Sequence, residues 1–361
     1  MATIYVLNPT TYKIEGIVDD YVSCIWRPSY SEVGDFEVYL GANRELVSLF
    51  QLNHFLVRSQ DVSVADGVTT YKKVMIIKNI ELKTNSESGD FLIITGKELK
   101  YILHQRIVWY QTNLSGTAED AIRQLIDENA INPTNERRVI ADLELGTAAS
   151  LTDTIDKQLT GDYVDKAISD ICVTYNYGWT IDIIDDKLIV TVYTGLDRSF
   201  DQMERPYVVF SPDFDNLYES DYQNKTENYA NVALVYGEGE GTLKSKIPVE
   251  LHSVSGLDRF ECYVDASSLS RNKGSDDEIP VLTYLKLLAE KGLERVAELQ
   301  YTEGFSGEIL SNMTFKYGVD FNLGDIVTVI NSYGISKNVR VVSAIESDDV
   351  TGSKLIPQFN I

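Results

Sequence analysis

Over its first hundred residues the chain sets short apolar runs between clusters of Gly, Asn, Asp and Ser, the pattern of antiparallel strands joined by turns. Ile4–Leu7, Tyr21–Arg27, Phe36–Leu40, Phe55–Gln60, Tyr71–Leu82 and Phe91–Thr95 are rich in β-branched and aromatic residues. Asp35 to Leu40 alternates polar and apolar side chains, as a strand with one wet face does. Two short helices are expected to interrupt these strands, at Arg44–Gln51 and Lys97–Leu103. The spacing predicts a small antiparallel barrel or sandwich over residues 1–109.

The period changes near Tyr110. Ser115 to Asp120 supplies cap-type residues and early acids, and Ala121, Ile122, Leu125 and Ile126 then fall on one helical face, so a helix should start there and stop before Pro133. A second helix is expected over Tyr163–Tyr175, where Val164, Ala167, Ile168, Ile171 and Cys172 recur at three-to-four spacing. Trp179–Ile184 and Lys187–Tyr193 predict a hairpin across Asp185 and Asp186. Residues 110–214 thus read as an α/β insert ending in a proline-bearing connection, Arg205–Asp215.

Strands resume at Tyr229–Tyr236 and open a second β region, 215–361. A polar loop, Arg271–Ile279, and a helix over about 280–300 interrupt it; Pro280 suits a helical first turn, and Val281, Leu285, Leu288, Val296 and Leu299 are the expected packing stripe. Phe305–Asn360 returns to strands, including Asp325–Ile330 and Val339–Ile345. The fold class is therefore mainly β, of α+β type: two β regions around an α/β insert, the second with an inserted helix.

Composition narrows the function. With 55 acidic against 32 basic residues the net charge is −23, so the field repels a phosphate backbone and a general nucleic-acid binder is not expected. The 22 tyrosines and 12 phenylalanines go with a folded core and against an acidic disordered tail. Cys24, Cys172 and Cys262 are scattered and lack a C-x-x-C spacing, which points to inert thiols in a reducing cell. No apolar run approaches the roughly twenty residues of a membrane helix, and Met1 to Val6 carries no secretory pattern, so synthesis in a host cytoplasm without direct membrane insertion is expected. The sequons at Asn113, Asn224 and Asn312 are then chance matches.

Candidate chemistry is sparse. His54, His104 and His252 have no supporting motif, and no zincin, nucleophile-elbow, phosphate-loop or EF-hand pattern occurs. Asp19-Asp20, Asp185-Asp186, Asp276 to Glu278 and Asp348-Asp349 sit where turns are expected and read as solvated turns. Gly237 to Gly241 is glycine-rich, but Glu238 and Glu240 would oppose a phosphate, so it reads as a mobile turn. No catalytic, cofactor-binding or metal-binding residue is assigned, no cofactor is expected, and the protein is read as a non-enzyme.

Four passages, taken together, carry a family resemblance. Ile4–Asn8 with Trp26–Leu40, then Ile93–Arg106, Ser220–Gly239, and Tyr317–Val329 with Gly352–Phe359, resemble the tail-hub or tail-associated proteins of phages and phage-derived injection devices, the siphophage tail-tip proteins in particular. The resemblance implies two small tube-type β-barrels per subunit and a homotrimeric ring whose six similar edges match a hexameric tail tube to a three-fold tip. It further implies, as partners, a distal tail or tail-tube protein, a tape-measure protein and tip or fibre proteins, with DNA passing an acidic lumen without being specifically bound. The place of action would be the virion tail or a phage-derived particle. The chain stops soon after the second β region, so wall degradation and receptor binding are expected of partner proteins. Two alternatives stay open: a carbohydrate- or receptor-binding β protein of the tail tip, and a glycosidase with two facing carboxylates.

Overall fold

The computed structural model describes residues 2–84, 89–217, 219–271, 278–299, 302–308, 314–350 and 352–360. The chain is mainly β. Helices α1 (Arg44–Leu49), α2 (Ala118–Ile126), α3 (Val164–Tyr175) and α4 (Val281–Glu298) lie between the strands.

The largest sheet starts at Ile14–Val18 and passes through Ile4–Leu7, Phe55–Arg58, Met75–Lys83, Phe91–Glu98, Asp35–Gly41 and Ser23–Arg27, each antiparallel to the next. It continues into the C-terminal region. Ser23–Arg27 pairs with the far half of Ser336–Asp349, placing Glu346 opposite Trp26 and Asp349 opposite Ser23. Beyond lie Gly352–Asn360, Thr302–Glu308 and the edge strand Glu219–Lys225. The near half of Ser336–Asp349 pairs instead with Ile326–Ile330, which has Val209–Phe210 parallel beside it. Both ends of the chain therefore share one ladder. Among the described residues no pairing brings Ile14–Val18 round to close that ladder into a ring.

Three smaller sheets complete the fold. The predicted hairpin forms as Gly178–Ile184 and Lys187–Tyr193, with Asp185 (φ 51°) and Asp186 (φ 58°) both left-handed, as a type I′ turn requires. Leu143–Leu145 adds to it in parallel on one side. On the other side stands a second hairpin, Val62–Ala65 with Val68–Tyr71, so the insert's sheet reaches into the first β region. Thr112–Thr117 pairs with Thr154–Leu159. Lys246–Glu250, Val232–Tyr236 and Glu261–Asp265 form a three-stranded sheet with α4 across one face.

Local chemistry explains the helix ends. Thr117 caps α2, its Oγ1 accepting from Asp120 N at 3.0 Å, so the preceding residues of the expected helix start, Ser115 and Gly116, remain in a strand. Asn176 ends α3 in the left-handed region at φ 57°. The helix expected over Lys97–Leu103 is corrected: Phe91–Glu98 stays in the ladder through Glu98, and only Leu99–Gln105 coils, as a 3₁₀ segment. Ladder pairing of Lys97 and Glu98 outweighs the helix preference of Lys-Glu-Leu-Lys. Tyr71–Leu82 is likewise two strands, Val68–Tyr71 and Met75–Lys83, in different sheets.

The α4 stripe is also corrected. Val281 is 55% exposed, and the helix buries Tyr284, Leu287, Leu288, Gly292 and Val296. Tyr284 sets this rotation: its hydroxyl accepts from Glu238 N at 2.8 Å and donates to Leu269 O at 2.9 Å. Gly292 lets the backbone settle on the sheet, because a Cβ there would lie 2.6 Å from a Val249 methyl. The polar loop expected at Arg271–Ile279 falls mostly outside the described residues.

A buried ionic tie braces the junction of the two β regions. Arg58, 4% exposed, reaches Glu346 Oε1 and Asp61 Oδ2 at 2.7 Å each, and its guanidinium lies 5.2 Å from the Trp26 ring centre. Lys73 Nζ joins at 3.5 Å from Glu346 and 4.0 Å from the centre of the Tyr317 ring. Burial acts to raise the Glu346 pKa, but Arg58 and Lys73 outweigh it and hold the carboxyl below its usual range.

Two outcomes follow from these contacts. Tyr284→Phe leaves Glu238 N and Leu269 O without their partner and is expected to cost about 1–3 kcal/mol in urea unfolding. Glu346→Gln removes half of the Arg58 tie and is expected to cost about 3 kcal/mol. The depressed Glu346 pKa stabilises the fold above the ordinary carboxylate value and stops doing so as pH falls through the folded value. The variant should therefore lose less stability on acidification than the wild type, measured by unfolding between pH 6 and about 3.

Candidate functional site: the junction of the sheets

Ser23–Arg27 and Asp35–Gly41 are hairpin partners, and the loop that links them, Pro28 to Gly34, is partly buried, with Pro28, Tyr30 and Gly34 buried and Glu32 exposed. Where such a loop is buried, its backbone groups must find partners within the protein. Three elements supply them. From the end of Phe91–Glu98, Glu98 Oε2 accepts from Gly34 N at 2.9 Å and Ser29 N at 3.3 Å. Two residues on, the fully buried Lys100 donates to Ser29 O at 2.6 Å and Glu32 O at 2.7 Å, while lying 3.2 Å from Glu98. Burial pushes the Glu98 carboxyl up, and Lys100 and the two N–H groups offset part of that rise.

The insert supplies the second set. Trp179 Nε1 donates to Ser31 O at 2.9 Å, Trp179 N to Tyr30 O at 3.2 Å, and Ser31 Oγ to Tyr177 O at 2.7 Å. The C-terminal region supplies the third: Tyr30 N donates to Val342 O at 2.8 Å, and Ser343 Oγ to Pro28 O at 3.1 Å. Tyr30 itself is fully buried where all three regions meet, donating to Asn176 O at 2.9 Å and packing edge-on against Tyr193 at 5.4 Å. Its ring fills a slot made by Gly178 and Gly324; a Cβ on either would overlap it, and Gly324 has φ +90° besides. A cleft of about 720 Å³ beside the loop is lined by Arg27, Asp35, Asn176, Arg340 and Gln358 among others, with charges of both signs. Glu98, Lys100, Ser31, Trp179, Ser343 and Tyr30 thus hold backbone, whereas Arg27 at the cleft pairs with the Asp35 carboxylate at 3.1 Å.

The residues singled out in the sequence are dispersed. His54 is buried with Nδ1 3.2 Å from Glu15. His104 is stacked between Tyr101 and Tyr163, at 4.5 and 4.0 Å, and faces Asp165 at 3.0 Å. His252 is exposed in a separate turn. Cys24 and Cys172 are buried, Cys262 half-buried; burial pushes the Cys24 thiol up to about 12 and raises the other two. Asp185 and Asp186 make the hairpin turn, Asp19 and Asp20 are exposed, and Asp348 accepts from Ala2 N at 2.8 Å and Tyr21 Oη at 3.1 Å. Asp276 and Asp277 lie outside the described residues, while Glu278 pairs with Arg271 at 2.9 Å. Gly237 to Gly241 is a turn fastened by Gly237 N to Ser245 O at 2.8 Å. Among the described residues no cluster of three or more His, Cys, Asp or Glu side chains is arranged to hold a metal ion. No described helix is long and apolar enough to cross a membrane.

Glu98, Lys100, Tyr30 and Trp179 were not singled out from sequence as functional. One signal was present: Glu98 and Lys100 are charged residues set two apart beside Leu99, Ile102 and Leu103, all of which are buried. The loop and its clamp also belong to two of the passages that carry the resemblance, Trp26–Leu40 and Ile93–Arg106, so passages distant in sequence meet in space.

Comparison with solved structures finds the same fold in three tail proteins. The tail protein from Neisseria meningitidis MC58 superposes with a TM-score of 0.58 at 16% identity, covering 100% of this chain and 96% of that one. The 43 kDa tail protein of prophage MuSo2 from Shewanella oneidensis gives 0.60 at 10% identity, with 99% and 97% covered. Prophage tail protein gp18 from Listeria monocytogenes EGD-e gives 0.53 at 14% identity, with 99% and 94% covered. No curated protein matches the sequence. The expected likeness to phage tail proteins is thereby met at the level of the fold. The pattern of the Siphovirus ReqiPepy6 Gp37-like proteins runs through residues 3–359, nearly the whole chain, and the chain belongs to that family.

Proposed function

We propose that the chain is a structural component of a phage tail, working as a hub whose copies form a ring between the tail tube and the distal tip. The observation that carries this reading is the ladder shared by the two β regions, locked by the Pro28 to Gly34 junction and the Arg58 tie. A subunit braced in this way presents two β units at a fixed mutual angle. Three copies then offer six such units to a six-fold tube, and symmetry adaptation needs rigidity and no reaction.

Several finer features belong to the same proposal. The regions 1–109, 110–214 and 215–361 serve as first β unit, insert and second β unit, and each β unit curls into a barrel-like wall of the ring. The strands at the two ends of the large sheet's order are the proposed ring contacts: Ile14–Val18, with Ile14 and Ile17 46% and 60% exposed, on one unit, and Glu219–Lys225 on the other. The charge of −23 gives an acidic bore through which DNA or a tape-measure protein slides without sticking. Tube, tape-measure and tip or fibre proteins are the partners, and the site of action is the virion tail.

Images of the chain mixed with its tube protein are expected to show rings of three copies, each of 40.6 kDa, with carboxylates facing the bore. One-to-one complexes of a monomer with tube protein, or a bore lined by Lys and Arg, would overturn this reading. Ile17→Lys, on an exposed edge, should leave the monomer's unfolding unchanged within about 0.5 kcal/mol and reduce ring formation, read by light scattering.

A further inference from the structure

In a strongly acidic molecule, one patch carries arginines that no carboxylate answers. The segment Arg106 to Tyr110 runs beside the start of α3: Val164 N donates to Arg106 O at 2.9 Å and Val108 N to Asp162 O at 2.8 Å, which sets Tyr163 opposite Ile107. The short turn Glu136–Arg138 packs on the same segment. Arg106 Nε donates to Arg138 O at 2.6 Å, and Arg138 Nη2 donates back to Ile107 O at 2.6 Å. The two side chains are thereby held close together.

Their charges stay unmatched. Among the described residues neither Arg106, Arg138 nor the exposed Arg137 forms an ion pair, although Glu136 and Asp162 are near in sequence. The partners of Arg106 and Arg138 are backbone carbonyls and the Asn129 Oδ1, which accept an N–H without cancelling charge. Burial lowers the pKa of both guanidinium groups, and Arg138 lowers that of Arg106 further.

Aromatic rings surround the pair. Trp109 is 52% exposed, with the Arg138 guanidinium 4.9 Å from its ring centre, and Tyr110 is 62% exposed. Tyr163, also exposed, stacks on His104 at 4.0 Å and His104 on Tyr101 at 4.5 Å, while the buried Asp165 lies 3.0 Å from His104 Nδ1. Side chains fixed in this way lose little freedom when a partner arrives. Exposed Trp, Tyr and Arg gathered on a rigid base have the composition of the energetic centre of a protein interface.

Charge decides what meets them. Arginines without carboxylates fit an acidic face, and the chain itself, with 55 acidic against 32 basic residues, presents such faces. Its copies repel one another over most of their surface, so a ring of them needs places where a cation is free to pair. Against its own image across a two-fold axis the patch would set arginine against arginine. It suits an unlike face, and contacts between unlike faces are the ones that build rings.

We propose that Arg106, Arg138, Trp109 and Tyr110 form the docking surface for a carboxylate-bearing face of a second copy of this chain, joining neighbouring copies head to tail. The inference rests on the ring reading and adds to the strand edges a contact on the insert.

Ring formation with the tube protein, followed by light scattering, tests it. Tyr110→Glu and Tyr110→Lys remove the same exposed ring and differ in sign, and the Glu variant should need roughly tenfold more protein than the Lys variant for half-maximal ring formation. Equal losses in the two variants, or a larger loss with Lys, overturn the docking surface. A second measurement identifies the occupant. Tyr110→Cys chain carrying a benzophenone maleimide is mixed with isotopically heavy wild-type chain before assembly and irradiated. The cross-link should join light chain to heavy chain at a peptide containing Asp or Glu. A probe that links only to the tube protein, or to nothing, overturns the inference while the rings remain. A wild-type chain that forms no rings ends both this inference and the ring reading.

Discussion

The architecture depends on satisfying the backbone of one partly buried loop. Pro28 to Gly34 sits where the first β region, the insert and the C-terminal strands converge, and each unmet N–H or C=O there would cost about 1–3 kcal/mol. Glu98 and Lys100 resolve this from one side, by accepting and donating within the same loop. A buried ion pair is ordinarily a poor source of stability, since desolvation of both charges opposes it. Here each charge has further hydrogen bonds of its own, so the pair acts as a connector between backbone groups of the loop.

Rigidity then spreads through the ladder. Because Ser336–Asp349 pairs with Ile326–Ile330 along one half and with Ser23–Arg27 along the other, the two β regions cannot rotate against each other without breaking strand pairs. Tyr30, Trp179 and Arg58 add packing and hydrogen bonds on the faces of the same ladder. Under the hub proposal the subunit carries load along its axis, between a tube on one side and a tip on the other. A continuous sheet with saturated joints suits that load better than two domains on a linker.

Much of this was legible residue by residue. The Gly178–Tyr193 hairpin announced itself through alternation and through Asp185-Asp186, whose side chains tolerate left-handed backbone. The α3 helix was legible through its apolar spacing. Ile14–Val18 was not, because an edge strand with four of its five residues at least partly exposed and a Gly at its centre has no alternation to read. Lys97–Leu103 looked helical because propensity is local, whereas the ladder that claims Glu98 is formed with residues more than twenty positions away. The junction was least legible of all. No property of Tyr30 alone says that Gly178 and Gly324, far along the chain, make room for its ring.

The molecule contains two kinds of polar seam, one within a continuous core and one between separate cores. At the loop junction each charged group is matched by fixed backbone donors or acceptors, and the surrounding cores are continuous with it. Under α4, Lys157 and Lys291 both pair with Glu294, the Tyr175 hydroxyl bonds Glu290, and the apolar cores on either side do not merge. Separate apolar cores joined by a polar seam are distinct cooperative units, and such units open with free energies of their own. The large sheet, through its shared ladder, therefore holds the geometry of the subunit, and the unit under α4 keeps a core of its own beside it.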